Sequence, residues 1–256
     1  MTYEALLNLS DCTIAFGGLV AVDSVDMELK PGELIGLIGP NGAGKTTVFN
    51  LITGVYRPTR GRICLGGKDI HGQRPHEIAA EGIARTFQNI RLFGSMSALD
   101  NVRVGAHTHV RYSTTAAVAR TSAFRQQDHE LTNKCVHLLH VLGLGAFRDI
   151  EARSLPYGEQ RRLEIARALG SDPKVLLLDE PTAGMNPHET RELMEVIKSI
   201  RDEFGLTILL IEHDMRVVMG ICERIYVLDY GKVIAEGKPE EIRANPAVIE
   251  AYLGEA

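Results

Sequence analysis

Apolar and polar residues alternate near the start of the chain, which is the pattern of half-buried β-strands. The alternation covers residues 13–16 and 20–29, and the Gly17-Gly18 pair between them favours a turn. We therefore predict an antiparallel β part that comprises residues 1–33 and 55–75.

A continuous apolar run at residues 34–38 predicts a fully buried strand. A glycine-rich segment follows, and from Lys45 onward Val48 and Leu51 recur at helical spacing until Gly54 provides a stop. The sequence thus predicts a strand, a tight loop and a helix in immediate succession.

Strand-like runs are absent from residues 97–153. Apolar residues such as Leu131, Cys135 and Leu138 recur there at helical spacing instead. We predict a mostly helical insert and assign residues 95–170 to a helical subdomain.

After this insert, strand-length apolar runs alternate with amphipathic segments. Strands and helices in alternation imply a parallel sheet covered by helices on both faces. The prediction is an α/β fold in a single domain, residues 1–256, with a catalytic core at 34–54 and 174–237 and a helical tail at 238–256. The predicted strands are 175–178, 207–211 and 225–229, and the predicted helices are 158–169, 188–203 and 215–221.

Size and charge exclude several classes of protein. The chain of 256 residues is long enough for one large core, and its formal net charge of −5 argues against a nucleic-acid partner held by a broad basic face. Residues 1–4 include no basic region before an apolar segment, so we expect no signal peptide and no export. The apolar runs are far shorter than the roughly 20 residues that span a bilayer, so any membrane role is expected to be peripheral.

The glycine-rich segment carries the first chemical signal. Its sequence, Gly39-Pro40-Asn41-Gly42-Ala43-Gly44-Lys45-Thr46, is a complete phosphate-binding loop (P-loop). Its glycines let backbone N–H groups turn toward a β-phosphate, Lys45 reaches the β- and γ-oxygens, and the Thr46 hydroxyl is placed to ligate Mg²⁺. The next helix would point its N-terminus at the phosphates. The chain is therefore predicted to bind a nucleoside triphosphate.

Two carboxylates, Asp179 and Glu180, follow the apolar strand at 175–178. At a strand end beside a P-loop, Asp179 can hold the Mg²⁺ shell while Glu180 accepts a proton from an attacking water. A strand that ends in a solvated acidic turn is the alternative. The P-loop in the same chain favours the catalytic interpretation.

Together these motifs resemble those of the nucleotide-binding subunit of an ATP-binding-cassette (ABC) transporter, over nearly the whole chain. Residues 179–182, Asp-Glu-Pro-Thr, are similar to the Walker B segment of that family, and residues 155–162, Leu-Pro-Tyr-Gly-Glu-Gln-Arg-Arg, to its signature. Gln88 matches the Q-loop, Phe16 the aromatic that stacks on adenine, and His213 the switch histidine. The resemblance implies the ABC ATPase form of the P-loop NTPase fold, and ATP hydrolysis with Mg²⁺.

The resemblance also implies a role for each matched residue. Phe16 would offer a flat surface to the base, Gln88 would bridge Mg²⁺ or water to a membrane partner, and His213 would bind a γ-phosphate or orient the water. In that family the signature faces the γ-phosphate held by a second subunit, so the active ATPase is a dimer. The implied catalytic residues are Lys45, Gln88, Glu180 and His213; the implied metal ligands are Thr46, Gln88 and Asp179; the implied nucleotide contacts are Phe16, Gly39, Pro40, Asn41, Gly42, Ala43, Gly44, Lys45, Thr46, Thr47, Gln88, Asp179, Leu155, Tyr157, Gly158 and Glu159.

Two positions depart from the pattern of the family. Pro156 replaces the signature serine, so a side-chain hydroxyl and a backbone N–H are both missing. Asn186 replaces the aspartate that usually ends the loop after Walker B, and its amide can hydrogen-bond across a dimer without a charge. Both changes bear on the efficiency of the site that this signature completes.

Several longer segments resemble one branch of the family. Residues 85–93, 161–168, 211–215 and 251–256 are similar to the longer of the two ATP-binding subunits of the bacterial high-affinity branched-chain amino acid importer, and the helical insert fits that subunit. This implies a second, different ATPase subunit, integral membrane permeases and, indirectly, a periplasmic binding protein. The implied location is the cytoplasmic face of the inner membrane.

Other functions compete with this one. The same ATPase chemistry could drive another cargo, as in lipopolysaccharide export or urea import. A soluble ABC ATPase of DNA repair or translation usually carries a long coiled coil or a second cassette, and this chain has neither. A small-molecule kinase with the same P-loop would leave the signature and the switch histidine unexplained.

Leu92 and Phe93, just after Gln88, are candidates for a docking patch, with core packing as an equally weighted alternative.

The histidines of the insert are expected on the surface, with no metal beyond Mg²⁺. The scattered cysteines fit a reducing cytosol and receive no role. These histidines are His107, His109, His129, His137 and His140, and the cysteines are Cys12, Cys64, Cys135 and Cys222.

Overall fold

The computed structural model describes residues 5–109, 115 and 118–253. The predictions for residues 1–4, and for the end of the tail at 254–256, lie outside the described residues. Within the described ranges, no helix is both long enough and apolar enough to cross a membrane.

The described strands form two sheets. The smaller sheet has four strands in the order β2-β1-β4-β5, and the larger has six in the order β10-β9-β3-β8-β7-β6. The strands are β1 (Leu7–Phe16), β2 (Leu19–Leu29), β3 (Leu34–Ile38), β4 (Arg60–Leu65), β5 (Lys68–Asp69), β6 (Ile83–Arg85), β7 (Val175–Asp179), β8 (Thr207–Ile211), β9 (Arg224–Asp229) and β10 (Lys232–Gly237).

All neighbouring pairs of the smaller sheet are antiparallel, as predicted. Leu7, Leu9, Cys12 and Ile14 of β1 are buried, and the polar residues between them are more exposed, so one face of the strand packs on the core. Strand β4 begins at Arg60, which pairs with Thr13 of β1. The residue bounds of this part as a subdomain stay a prediction.

The larger sheet contains the predicted parallel core. Its strands from β9 to β6 are parallel, whereas β10 runs antiparallel to β9 at one edge. Strand β10 was not among the predicted strands, because its residues are exposed or only partly buried and form no continuous apolar run. Because carboxyl ends of parallel strands share one edge of a sheet, the residues after β3, β7 and β8 come together there.

Helices cover the larger sheet and form the insert. Helix starts differ from prediction by one residue at α5 and α6, because Pro156 and Asn186 occupy the N-cap positions. The helices are α1 (Lys45–Ile52), α2 (Pro75–Glu81), α3 (Ala98–Gly105), α4 (Ser122–Val141), α5 (Tyr157–Leu169), α6 (Pro187–Phe204), α7 (Met215–Ile221), α8 (Pro239–Arg243) and α9 (Pro246–Leu253).

Apolar clusters lie on both faces of the larger sheet. Leu34 and Ile38 of β3 belong to the cluster beneath the helical side, whereas Ile35 and Leu37 belong to the cluster shared with the smaller sheet and α1. The continuous apolar run at 34–38 is therefore explained by burial on both sides. This packing fixes the edge from which the P-loop emerges.

Candidate active site

The P-loop leaves β3 at Gly39 and enters α1 at Lys45. A Cβ atom at Gly39 would lie 1.9 Å from the Leu228 carbonyl oxygen, and one at Gly44 would lie 2.6 Å from that of Ala21, so tertiary packing requires glycine at both positions. At Gly42 a Cβ would meet nothing within 4 Å. The middle of the loop therefore faces open space of the kind a phosphate would occupy.

Lys45 is 6% exposed and crosses the loop. Its Nζ donates to the carbonyl oxygens of Gly39 and Pro40, at 2.7 Å each. The ammonium thus lies at the N-terminus of α1, where the helix dipole also favours an anion. Two independent sources of positive potential converge on the loop.

Glu180, just after β7, bonds to His213 after β8 and to Gln88 in the loop after β6. Its Oε1 lies 2.7 Å from His213 Nε2, and its Oε2 accepts a hydrogen bond of 2.9 Å from Gln88 Nε2. Glu180 has φ 47°, in the left-handed region, which costs a non-glycine residue about 1–3 kcal/mol. Packing must hold it in that conformation, which directs its carboxylate toward both partners.

These side chains share one cleft with the P-loop. The cleft has a volume of about 340 Å³, and it is lined by Gln88, Glu180 and His213 together with residues 41–47. These residues are far apart in the sequence, and all were predicted to contact a nucleotide. In the structure they line the same cleft. Both the backbone of the predicted phosphate-binding loop and the Glu180 carboxylate border the cleft.

Asp179 is buried and paired with an arginine that the sequence analysis missed. Its Oδ2 accepts from Arg85 Nη2 at 2.6 Å, and Arg85 Nη1 donates to Asn50 Oδ1 of α1 at 2.7 Å. The guanidinium also lies over the Phe49 and Phe87 rings, 5.2 and 5.4 Å from their centroids. Arg85 therefore fixes the predicted metal-ligating carboxylate to the helix that follows the P-loop.

Glu212 is a second residue that sequence reasoning missed. Its Oε1 accepts hydrogen bonds from the Thr182 backbone N–H, at 2.9 Å, and the Thr182 hydroxyl, at 2.7 Å. Its Oε2 accepts from the His213 backbone N–H at 3.2 Å. Burial raises the pKa of this carboxyl. Glu212 thus joins the turn after Glu180 to the loop that carries His213; its only sequence signal was a carboxylate beside the predicted histidine.

Several predicted site residues lie outside this cleft. Phe16 is 44% exposed at the end of β1 and packs edge to face on Tyr56, with ring centroids 5.0 Å apart. Leu155 and Gly158 are buried at the start of α5, and Tyr157 donates from its hydroxyl to the Ala183 carbonyl at 2.9 Å. Glu159 lies in the first turn of α5. The signature therefore does not reach the P-loop cleft of its own chain.

The positions that depart from the family pattern both start helices. Asn186 Oδ1 accepts from the His188 and Glu189 N–H groups, at 2.8 and 3.0 Å, and so caps α6. Pro156 occupies the N-cap of α5 and makes no side-chain cap. The Asn186 amide oxygen is thus committed within its own chain.

Past Gln88, the candidate docking residues separate. Leu92 packs against the core, whereas Phe93 is 49% exposed at the rim of a groove of about 430 Å³. The groove is lined by residues of α2, β6, α3 and α5, among them Ile78, Ala84 and Val104. Leu92 is therefore partly buried against the core, as the core-packing alternative expects, and Phe93 stays a docking candidate.

Among the described residues, no group of three or more His, Cys, Asp and Glu side chains is arranged to hold a metal ion. The side chain of His109 lies outside the described residues. The other insert histidines, His107, His129, His137 and His140, are exposed, and Cys12, Cys64, Cys135 and Cys222 are free thiols.

Comparison with known proteins yields two family matches. The ABC transporter family model matches residues 22–183. A model described as the branched-chain amino acid ATP-binding cassette transporter matches residues 232–256. The match at the C-terminus covers the edge strand and the tail, which lie outside the first model.

Individual proteins match over almost their whole length. A high-affinity branched-chain amino acid transport ATP-binding protein of Pseudomonas aeruginosa, BraF, is 48% identical over 98% of each chain. The corresponding protein of Escherichia coli K12, LivG, is 47% identical over 99% of each chain. An ATP-binding cassette of an ABC transporter, solved in its ADP conformation, superposes with a TM-score of 0.85 at 30% identity, covering 98% of this chain and 99% of that one.

Proposed function

Because this chain belongs to the ABC transporter family of ATP-binding cassettes, we propose that it hydrolyses ATP to energise the high-affinity import of branched-chain amino acids. The observation that carries the ATPase assignment is the single cleft that joins the P-loop to Gln88, Glu180 and His213. The C-terminal family match and the BraF and LivG likenesses support the choice of cargo. An ATPase subunit does not touch the amino acid, so the choice of cargo rests on these likenesses rather than on the residues of the cleft.

The side chains of the cleft divide the chemistry. Lys45 and the N-terminus of α1 bind the phosphates, and Glu180 accepts the proton of the attacking water. His213 and Gln88 hold the two oxygens of that carboxylate, at 2.7 and 2.9 Å, and so orient it. Hydrolysis at this site therefore depends on the relative positions of three segments, which carry Gln88, Glu180 and His213.

The predicted metal ligands fit Mg²⁺ in their chemistry. The Thr46 hydroxyl, the Gln88 amide oxygen and the Asp179 carboxylate are hard oxygen donors of the kind that Mg²⁺ prefers. Thr46 and Gln88 line the cleft, and Asp179 immediately precedes Glu180. When bound, the ion supplies positive charge that stabilises the charge developing on the phosphates.

A second ATPase subunit would complete the site. Tyr157 and Gly158 start a helix whose N-terminus lies outside the P-loop cleft of its own chain. A helix N-terminus is a natural anion site, and facing a partner's phosphate would use it. We expect the partner to be a different chain, as the resemblance to the branched-chain amino acid importer implies, with the pair peripheral at the cytoplasmic face of the inner membrane.

The groove beside Phe93 is proposed as the docking surface for a permease subunit. The exposed aromatic ring of Phe93 lies at the groove, whose walls are apolar. Phe93 follows Gln88 by five residues in the sequence. Docking there would place the membrane partner in contact with the loop that bonds to Glu180. A periplasmic binding protein would act only indirectly, through the permeases.

Phe93→Asp tests this surface. The charge should prevent association with the permeases, because it would lose its hydration at the interface. Nucleotide binding by the chain should be unchanged. Ile249→Asp is the matched control, since Ile249 is 45% exposed but lies on α9, outside the groove. Equal co-purification of permeases with both variants would contradict the docking assignment.

Reconstitution tests the function as a whole. The chain, co-purified with its membrane subunits, should drive uptake of labelled leucine or isoleucine into proteoliposomes that contain ATP, and Glu180→Gln should abolish it. Uptake of urea, or export of lipopolysaccharide, in place of amino acid uptake would reassign the cargo. Purification without any membrane subunit would favour a soluble ABC ATPase.

A further inference from the structure

Helix α5 carries a buried ion pair between Arg161, near the end of the signature, and Glu164, just after it. Arg161 and Glu164 are 2% and 1% exposed, with Arg161 Nη1 3.3 Å from Glu164 Oε2. Withdrawing two charges from water is costly, and apolar residues of similar size often pack as well or better. The Arg161 Nε is also buried without a hydrogen-bond partner. Packing of α5 alone therefore does not explain this pair.

Both groups use their remaining hydrogen-bonding capacity on one loop. Arg161 Nη1 donates to the Phe87 carbonyl at 2.7 Å, and Arg161 Nη2 donates to the Gln88 carbonyl. Glu164 Oε1 accepts from the Arg91 backbone N–H at 3.2 Å. The fork of the guanidinium thus spans two successive peptide groups, a geometry that lysine cannot reproduce.

The same helix face extends to a third contact one turn later. Arg167 Nη1 donates to the Arg91 carbonyl, and its guanidinium lies 5.8 Å from the centroid of the Phe93 ring. Residues between Arg85 and Phe93 belong to no helix or strand, so these side chains satisfy backbone groups that secondary structure would otherwise pair. The loop is held in place by α5.

Gln88 belongs to this loop and also bonds the candidate general base. Its carbonyl is held by Arg161, while its Nε2 donates to Glu180 Oε2 at 2.9 Å. A shift of the Gln88 backbone would displace that amide from the carboxylate. The chain of contacts therefore runs from α5 through Arg161 and Gln88 to Glu180.

We propose that Arg161 and Glu164 are positioning residues that fix Gln88 against Glu180 and make the alignment of the base depend on the position of α5. The inference rests on the proposed ATPase function. On this view the pair affects the rate of hydrolysis although neither residue contacts the nucleotide. If the pair had a purely structural role, its substitution would change only the stability of the protein.

The proposal predicts a specific kinetic signature for Arg161→Lys in the purified transporter assembly. Lysine keeps the charge but cannot hold both carbonyls, so kcat should fall by roughly 10- to 100-fold while KM for ATP changes less than about twofold. Glu164→Gln, which keeps the shape, should shift kcat in the same direction. Arg201→Lys is the control, because Arg201 pairs with Asp202 and Glu223 far from this loop.

A double-mutant cycle with Gln88→Ala distinguishes positioning from structure. If Arg161 acts through Gln88, Arg161→Lys should cause little further loss of kcat in the Gln88→Ala background. Additive losses, or a lowered melting temperature with unchanged kcat in both Arg161→Lys and Glu164→Gln, would overturn the proposal. A wild-type assembly that hydrolyses no ATP would instead refute the proposed function, and the inference with it.

Discussion

At the scale of single residues, Glu180 shows how the site is held together. Its hydrogen-bond partners, Gln88 and His213, lie 92 and 33 residues away in sequence. Its left-handed backbone is a local energetic cost at the position predicted for the general base. The geometry therefore depends on contacts that other parts of the chain supply.

Glu180→Gln is expected to stop turnover while preserving ATP binding. The amide keeps the shape of the carboxylate but cannot accept a proton, so kcat should fall by about 10² to 10⁴. The measurement is phosphate release together with the affinity for a fluorescent ATP analogue. Turnover at the wild-type rate would remove Glu180 from the role of general base.

The four cysteines should differ in their reactivity toward thiol reagents. Burial raises the pKa of Cys12 and of Cys135 to about 11, and it raises the pKa of Cys222 further still. At pH 8 only about one in a thousand Cys12 or Cys135 thiols would be ionised, and the thiolate is the reactive form. Native protein should therefore react with a disulfide reagent mainly at the less buried Cys64, and denatured protein at every cysteine. Equal rates at all sites in native protein would contradict this burial.

At the scale of elements, Asn186 is the N-cap of helix α6 and ends the loop that follows Glu180. Asn186 accepts from two N–H groups of the first turn, and Glu189 Oε2 accepts from the Asn186 N–H at 2.9 Å, which forms a capping box. In the sequence, Asn186 is a residue whose amide can hydrogen-bond across a dimer. Its oxygen stabilises its own helix, so this position has a structural role within one chain, and a bond across a dimer would be donated by its NH2 group.

Asn186→Ala should lower the free energy of unfolding by about 1 kcal/mol, because it removes the cap. Asn186→Asp restores the aspartate usual in the family, keeps the acceptor and places a negative charge at a helix N-terminus, so stability should be retained. Urea unfolding of the chain measures both. Equal stability of the alanine variant and wild type would mean that the cap contributes nothing.

At the scale of the whole molecule, nucleotide binding should stabilise the fold, because the P-loop joins the larger sheet to α1. A ligand at 100 times its dissociation constant adds about 2.7 kcal/mol to the free energy of unfolding. The melting temperature should therefore rise with Mg²⁺ and ATP. The rise reports on binding independently of hydrolysis.

Lys45→Ala should abolish most of that rise, because it removes a positive charge from the phosphates. The comparison is the shift caused by nucleotide within each variant, since Lys45 also bonds two loop carbonyls. Lys30→Ala is the control; Lys30 is an exposed lysine before β3, at the opposite end from the P-loop. A full shift in Lys45→Ala would exclude the P-loop as the phosphate site.

The sequence by itself determined the parts whose signals are contiguous. The P-loop, the apolar strand before Asp179 and the periodic helices depend on short-range sterics and spacing, which a single segment contains. The resemblance to ABC cassettes then predicted the fold and the family, both now confirmed by the comparisons. The assigned roles of individual site residues stay predictions.

Only the tertiary structure decided which distant side chains meet. Arg85 and Asp179 are 94 residues apart, Thr182 and Glu212 are 30 apart, and Arg161 lies 73 residues from Gln88. Such pairs leave no periodic signal, because their proximity depends on strand order and helix packing rather than on local spacing. The edge strand β10 and the hold of α5 on the Gln88 loop escaped prediction for the same reason.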